Sequence, residues 1–229
     1  MKPLILAVDT THEWGSLALV RGEDLLEQQE NRAPDGFAHI VYGHLAALLD
    51  RHKLKPRDID CFAAAAGPGS FTGVRVGLAC IKGLAEACGK PAVGVSNLEA
   101  LAAFGSRRLR AAVMDARREE VYGAVYDAEG RAVTAEMVAP LERWLKEVGQ
   151  ASACQACELE FVRTGLPDLA DRLRGARLEG AAVLEAPRAL AGAVARIACR
   201  RFLSGEARDP AALDANYVRR SDAELFWKD

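Results

Sequence analysis

The sequence lacks a dominant charge and a long hydrophobic run. It has 30 Lys and Arg residues against 32 Asp and Glu residues, so the formal net charge is −2. Domains that bind nucleic acid through their own electrostatic field are usually strongly basic, and this balance argues against that class. The N-terminus has only five consecutive apolar residues, Leu4–Val8. That run is too short for a signal-peptide core or a membrane span, so we expect no membrane association.

Cysteine and histidine are too few and too scattered to suggest a metal site. The six cysteines are irregularly spaced and follow no export signal, which is typical of unpaired thiols in a reducing cytoplasm. Cys154 and Cys157 form one C-x-x-C pair, but zinc needs four ligands and no second pair lies nearby. All four histidines precede residue 53. We therefore predict a cytoplasmic protein with no metal and no cofactor.

The first part of the chain alternates between strand and helix patterns. LILAVDTT reads as a buried strand that ends at Asp9, and WGSLALV and LLEQQENR follow as antiparallel strands. Apolar residues at three- and four-residue intervals predict a helix over Phe37–Leu49. CFAAAA is a strand that leads into a glycine-rich loop, and a second helix is predicted over Thr72–Cys88, ending at Gly89. After the strand PAVGVS, Ser96 and Glu99 have the spacing of a capping box, which predicts a third helix.

The same plan recurs after residue 110. AAVMDARREEVYGAVYDAEGRAVTAE again gives a strand that ends in an aspartate, then a second strand, a turn and a third strand. Helices are predicted over Leu141–Val148, Leu166–Leu173 and Arg188–Phe202, and apolar residues near the end of the tail suggest that it is docked. The repetition predicts two similar halves, 1–106 and 107–229. Such a duplication, each half a mixed sheet with an antiparallel meander and flanking helices, is the α/β architecture of the actin, Hsp70 and sugar-kinase (RNase H-like) superfamily.

The glycine-rich loop allows two interpretations. Glycines at the head of a helix, together with two hydroxyl side chains, are typical of a phosphate cradle. They are equally typical of a loop where backbone passes close to backbone. The residues concerned are Gly67, Gly69, Ser70, Thr72 and Gly73.

Five segments resemble the TsaB (YeaZ) family: ILAVDTT, AGPGSFTGVRVGLACIKGLA, GVSNLEALA, MDARREEVYGAVY and YVRRSDAELF. The family is the non-catalytic partner of TsaD in bacterial synthesis of N6-threonylcarbamoyladenosine (t6A) at adenosine 37 of tRNAs that read ANN codons. The resemblance implies a scaffold and not an enzyme. It implies a heterodimer with TsaD, a homodimer in its absence, the ATPase TsaE as a further member of the complex, and contact with tRNA only through that complex.

The resemblance also identifies what is missing at the third helix. TsaD carries an H-x-x-x-H metal pair there, within a string like VNHMEAHL. This chain reads VSNLEALA, which places Asn97 and Leu101 at the two histidine positions. Leucine cannot bind a metal and asparagine is a poor ligand for iron or zinc. We therefore expect no catalytic residue and no metal ligand.

Nucleotide sites of the actin, Hsp70 and sugar-kinase superfamily offer a test of the phosphate-cradle interpretation of the glycine loop. A nucleotide site needs a second glycine-rich loop from the other half, where this chain offers FVRTGLPDL, and proline donates no N–H. We therefore favour a structural role for the loop. The alternative is an ATP-dependent phosphotransferase, which Asp9 with Thr10 and Thr11 would permit.

The partner interface is expected on the first two helices, because in the family these helices join the matching pair of TsaD in a bundle. Helical-wheel reasoning predicts that the contact residues are Ala38, Tyr42, Leu45, Leu49, Leu78, Ile81, Lys82 and Ala85.

Overall fold

The computed structural model describes residues 2–151, 156–174 and 178–219. Cys154 and the apolar end of the tail lie outside the described residues. Ten strands are present there: β1 Leu4–Asp9, β2 Trp14–Arg21, β3 Asp24–Arg32, β4 Cys61–Ala65, β5 Ala92–Val95, β6 Leu109–Asp115, β7 Glu120–Asp127, β8 Met137–Pro140, β9 Leu159–Thr164 and β10 Ala182–Glu185. The α-helices of the described ranges are α1 Val41–Arg51, α2 Phe71–Cys88, α3 Asn97–Ala102, α4 Leu141–Ala151, α5 Leu169–Arg172 and α6 Ala191–Leu203.

The chain divides into two compact units. Unit 1 is Met1–Asn97 with Arg188–Asn216, and unit 2 is Leu98–Pro187 with Tyr217–Asp229. Each unit contains one five-stranded sheet, in the order β3-β2-β1-β4-β5 and β10-β9-β6-β7-β8 respectively. In both sheets an antiparallel meander of three strands continues into parallel strands. The predicted duplicated α/β fold is confirmed.

Strand β1 is buried along its whole length, because helices cover the sheet of unit 1. Side chains alternate across a strand, and one face of β1 (Leu4, Leu6, Val8) joins the hydrophobic core with α1 and α2. The N-terminus of helix α6 is hydrogen-bonded to side chains of β2 and β3. Ala191 N donates to Ser16 Oγ (3.0 Å), and Gly192 N donates to Gln28 Oε1 (2.8 Å).

The position of α6 changes the boundary between the units. The predicted second half, 107–229, included this helix, whereas its contacts place it in unit 1. A linear repeat in the sequence does not reveal which sheet a late helix returns to.

Unit 2 is built around Trp144 of α4. Its ring packs edge-on against Phe161 with centroids 5.8 Å apart. Gly123 of β7 makes room for it, because a Cβ there would lie within van der Waals radii of the indole. Two sequence expectations are altered here. The third strand is Met137–Pro140 and not the segment directly after the turn, and the helix expected over Leu166–Leu173 is reduced to Leu169–Arg172.

In the described ranges, no helix combines the length and the apolar character that a membrane crossing requires.

Candidate functional site

The turn that ends β1 is organised around the carboxylate of Asp9. Its Oδ1 accepts hydrogen bonds from Thr11 N (2.9 Å) and from Thr11 Oγ1 (2.6 Å). The Asp9 residue is only 1% exposed, and its Oδ2 has no hydrogen-bond partner in the described part of the structure. The carboxylate therefore fixes the turn through one oxygen and leaves the other buried.

The glycine-rich loop packs directly on this turn. Ser70 N donates to the Thr11 carbonyl (2.7 Å), and Thr10 Oγ1 donates to the Gly73 carbonyl (2.7 Å). A Cβ at Gly73 would lie 2.1 Å from the Thr10 carbonyl oxygen, and one at Gly69 would lie 2.8 Å from the Thr11 carbonyl oxygen. These glycines are needed because backbone meets backbone, which real Cβ atoms would prevent.

Two other loop residues have ordinary structural tasks. Ser70 caps α2, since its Oγ accepts from Gly73 N at 3.3 Å. Gly67 has φ = +103°, a conformation that residues with a side chain rarely adopt. Thr72 is exposed in the first turn of α2. The five loop residues are thus brought together, in an arrangement that backbone packing accounts for.

Asn97 joins the loop and the Asp9 turn. Its Oδ1 accepts from Gly67 N (3.0 Å), and its Nδ2 donates to Thr11 Oγ1 (2.7 Å). Asn97 N itself donates to the Gly67 carbonyl (2.8 Å). The residue is fully buried, as is Leu101 one turn later. Both functional groups of the Asn97 side chain are thus engaged within the protein.

Most of the predicted partner interface is wrong in its choice of helix face. Five of its eight residues lie in the hydrophobic core of unit 1, where no partner can reach them: Leu45, Leu49, Leu78, Ile81 and Ala85. The large apolar side chains of α1 and α2 fill that core. Lys82 is half-buried, and its Nζ donates to the Leu213 carbonyl (2.8 Å). Ala38 and Tyr42 are exposed as expected.

The outer face of α1 and α2 consists mainly of small residues with two aromatic rings. Tyr42 is 56% exposed and Phe71 is 41% exposed. The guanidinium of Arg75 lies 3.4 Å from the Phe71 ring centroid, a close cation–π contact. The exposed residues around them are Ala38, Gly43, Ala46, Ala47, Thr72, Ala79 and Gly83. We call this set, with Tyr42, Phe71 and Arg75, the α1–α2 outer face.

Two buried thiols of unit 1, Cys80 of α2 and Cys61 of β4, are held in the protonated form. Burial raises the pKa of Cys80 to about 11, and burial raises the pKa of Cys61 to about 12. Desolvation, with a smaller effect from Cys80, also raises the pKa of Tyr42. A nucleophilic thiol needs a lowered pKa, so neither cysteine is suited to covalent chemistry.

Among the residues that the structure describes, no group of three or more His, Cys, Asp or Glu side chains could hold a metal ion.

Two residues that sequence reasoning missed contribute to the site. Asn216 N donates to the Ala66 carbonyl (2.8 Å), and Arg75 lies on Phe71. The SFTGVR string contains the second pair at helical spacing, so it could have been found; nothing local indicates Asn216.

Comparison with known proteins finds a matching family model and curated relatives of this chain. A family model described as TsaD: tRNA N6-adenosine threonylcarbamoyltransferase matches residues 32–171. The tRNA threonylcarbamoyladenosine biosynthesis protein TsaB of Bacillus subtilis is 34% identical over 124 residues, which are 53% of this chain and 54% of that protein. TsaB of Escherichia coli is 35% identical over 130 residues, 55% of each chain. The chain spans about half the length of the curated relatives it matches.

The solved structures extend the likeness over nearly the whole chain. YeaZ from Pseudomonas aeruginosa superimposes with a TM-score of 0.75 at 28% identity, covering 94% of this chain and 99% of that one. A putative N-acetylmannosamine kinase from Listeria monocytogenes gives a TM-score of 0.52 at 12% identity over 89% of this chain and 99% of that one. The second likeness reflects the shared fold alone.

Proposed function

This chain belongs to the TsaB (YeaZ) family, and from that premise we propose that it is the non-catalytic partner of TsaD in t6A synthesis. In this role it binds TsaD and supports the transfer of a threonylcarbamoyl group to adenosine 37 of tRNA, while TsaD carries the catalytic metal. TsaE joins the complex, and tRNA contacts this chain only through the assembly. In the absence of TsaD the chain pairs with a second copy.

The observation that carries the non-catalytic role is the engagement of Asn97. The resemblance to TsaD places its metal-binding histidines at positions 97 and 101. Here the Asn97 side chain is occupied by Gly67 N and Thr11 Oγ1, and Leu101 is a fully buried apolar residue. The helix that would hold a metal instead fastens the glycine loop to the Asp9 turn.

The α1–α2 outer face supports the partner role. Small residues let a second helix pair approach closely, and exposed aromatic and arginine side chains are the types enriched at the energetic centres of interfaces. The inner sides of α1 and α2 pack into the same hydrophobic core, and Tyr42 and Phe71 are exposed outside it. We place the TsaD contact, and the homodimer contact, on this face.

A reconstitution experiment tests the proposal. TsaD, TsaE, substrate and tRNA are combined with and without this chain, and t6A is measured by mass spectrometry of digested tRNA. We expect modification only when this chain is present, and none from this chain in the absence of TsaD. Modification of equal rate without this chain would contradict the proposal.

An interface variant makes the same test specific to the α1–α2 outer face. Tyr42→Asp places a charge at the centre of an apolar contact and should abolish co-elution with TsaD. Leu203→Asp is the matched control, since Leu203 is 65% exposed and lies on α6. It should leave co-elution unchanged. Loss of co-elution in both variants, or in neither, would place the interface elsewhere.

One observation favours a second candidate, an ATP-dependent phosphotransferase. Asp9 Oδ2 is buried without a hydrogen-bond partner in the described part of the chain, and an aspartate at the end of β1 could position a magnesium–nucleotide complex. This function predicts ATP turnover by the isolated chain that Asp9→Asn abolishes. Turnover at the level of the buffer control would exclude it.

A further inference from the structure

The turn between β6 and β7 has an uncommon backbone. Arg117, Arg118 and Glu119 have φ values of +62°, +55° and +63°. The left-handed region is disfavoured for residues that carry a Cβ, and they normally enter it singly. Three in succession constitute local strain, which persists only where other interactions hold the chain in place.

Packing does not hold this turn, since the side chains of all three residues are exposed. Hydrogen bonds connect its two ends. Arg117 N donates to Asp115 Oδ1 (2.8 Å), Ala116 N donates to the Glu120 carbonyl (2.9 Å), and Glu120 N donates to the Arg117 carbonyl (3.1 Å). These bonds are local, and the bond to Asp115 Oδ1 lies at the surface, where water competes for it.

One distant residue bridges both ends of the turn. Arg219 Nη1 donates to the Ala116 carbonyl (2.9 Å), and its Nη2 forms an ion pair with the carboxylate of Glu120. Its guanidinium also lies 5.7 Å from the centroid of Tyr122. The Arg219 and Glu120 side chains are only 21% and 34% exposed, so the contact is partly shielded from solvent. A planar guanidinium can satisfy a carbonyl and a carboxylate together, which a lysine cannot.

We propose that Arg219 is a latch that holds the Arg117–Glu119 turn in its left-handed conformation, so that the turn relaxes when Arg219 withdraws. The C-terminal segment of unit 2 thereby controls the geometry of a surface turn that lies 99 or more residues earlier in the chain.

Hydrogen exchange in the full chain tests the latch. In Arg219→Met, the amides of residues 117–120 should exchange about tenfold faster or more, while those of β6 and β7 outside the turn keep their protection. Arg219→Lys should give an intermediate rate, because it keeps the charge and loses the second contact. Arg131→Met is the matched control, since Arg131 pairs with Asp127 and Glu129 at the next turn of the same unit.

The strain itself is tested at Arg117. Arg117→Gly permits the left-handed conformation without strain, whereas Arg117→Ala removes the same side chain and keeps the strain. We expect Arg117→Gly to melt higher than Arg117→Ala, and Arg219→Met to accelerate exchange less in the glycine background. Unchanged exchange in Arg219→Met, a uniform rise over the whole of unit 2, or equal melting of the two Arg117 variants would overturn the latch.

Discussion

Replacing Gly73 with alanine provides a sharp test of the structural role of the glycine loop. The new Cβ would lie 2.1 Å from the Thr10 carbonyl oxygen and 3.2 Å from Thr11 Cα. Both neighbours are backbone atoms at the end of β1, so no flexible side chain can move aside. Helix α2 and the Asp9 turn must therefore separate by about 1 Å to restore normal van der Waals distances.

The expected cost follows from three contributions. Overpacking in a well-packed region costs about 1–3 kcal/mol, and rigid backbone neighbours place this site at the upper end. The separation weakens the bonds from Thr10 Oγ1 to the Gly73 carbonyl and from Ser70 N to the Thr11 carbonyl, at about 1 kcal/mol each. Alanine returns about 1 kcal/mol through its higher helix propensity. The net destabilisation is about 3–4 kcal/mol, which should lower the Tm by about 6–16 °C.

Gly83 supplies the control within the same helix. It is exposed, and a Cβ there would meet nothing within 4 Å. Gly83→Ala should therefore raise stability by about 1 kcal/mol through helix propensity alone. Differential scanning calorimetry and urea unfolding of both variants measure the contrast. A Gly73→Ala protein that melts at or above the wild type would refute the close backbone contact and reopen the phosphate-cradle interpretation.

Two further outcomes follow from the hydrogen bonds of unit 1. Asn97→Ala leaves Gly67 N without its buried acceptor and should cost about 1–3 kcal/mol in urea unfolding. Asn216→Ala removes a 3.3 Å hydrogen bond to the Gly67 carbonyl at a half-buried position and should cost clearly less; equal costs would contradict the joining role of Asn97. The hydrogen bond from Arg51 lowers the pKa of Glu27 from its usual 4.5. The ionised Glu27 therefore adds to the free energy of unfolding above pH 4.5, and this contribution is lost as the pH falls through the lowered pKa. The Tm gap between wild type and Glu27→Gln should accordingly close on acidification from pH 7, whereas a gap independent of pH would contradict the pairing.

The elements that the sequence predicted well are those with a local cause. The strand that ends at Asp9 is a continuous apolar run, and α2 begins at a capping serine and ends at Gly89 with φ = +62°. Strands and helices of this kind follow from periodicity and from residues that favour one backbone conformation. The repetition of the strand plan similarly predicted the two sheets and their mixed topology.

The errors concern choices that depend on distant residues. Both flanks of α1 and α2 are apolar or small, so the periodicity could not decide which flank faces the sheet. The flank with the larger side chains faces the sheet, because these side chains fill more of the core. The sequence predicted only that a connection joins the strand ending at Asp115 to the next strand, and it gave no sign of the backbone conformation of Arg117 and Arg118. The two arginines lie in a left-handed turn that Arg219 contacts, and no residue of the turn itself has a preference for that conformation.

Position 97 meets a hydrogen-bonding requirement that a metal-bound histidine would not meet. Gly67 N is buried and requires an acceptor, and Asn97 Oδ1 is the group that the structure supplies. A histidine bound to a metal through one ring nitrogen could offer only the other, as a donor, and so could not accept from Gly67 N. A metal ligand at position 97 would therefore deprive Gly67 N of this acceptor. Substituting histidines at both 97 and 101 should consequently lower the free energy of unfolding and create no affinity for iron or zinc.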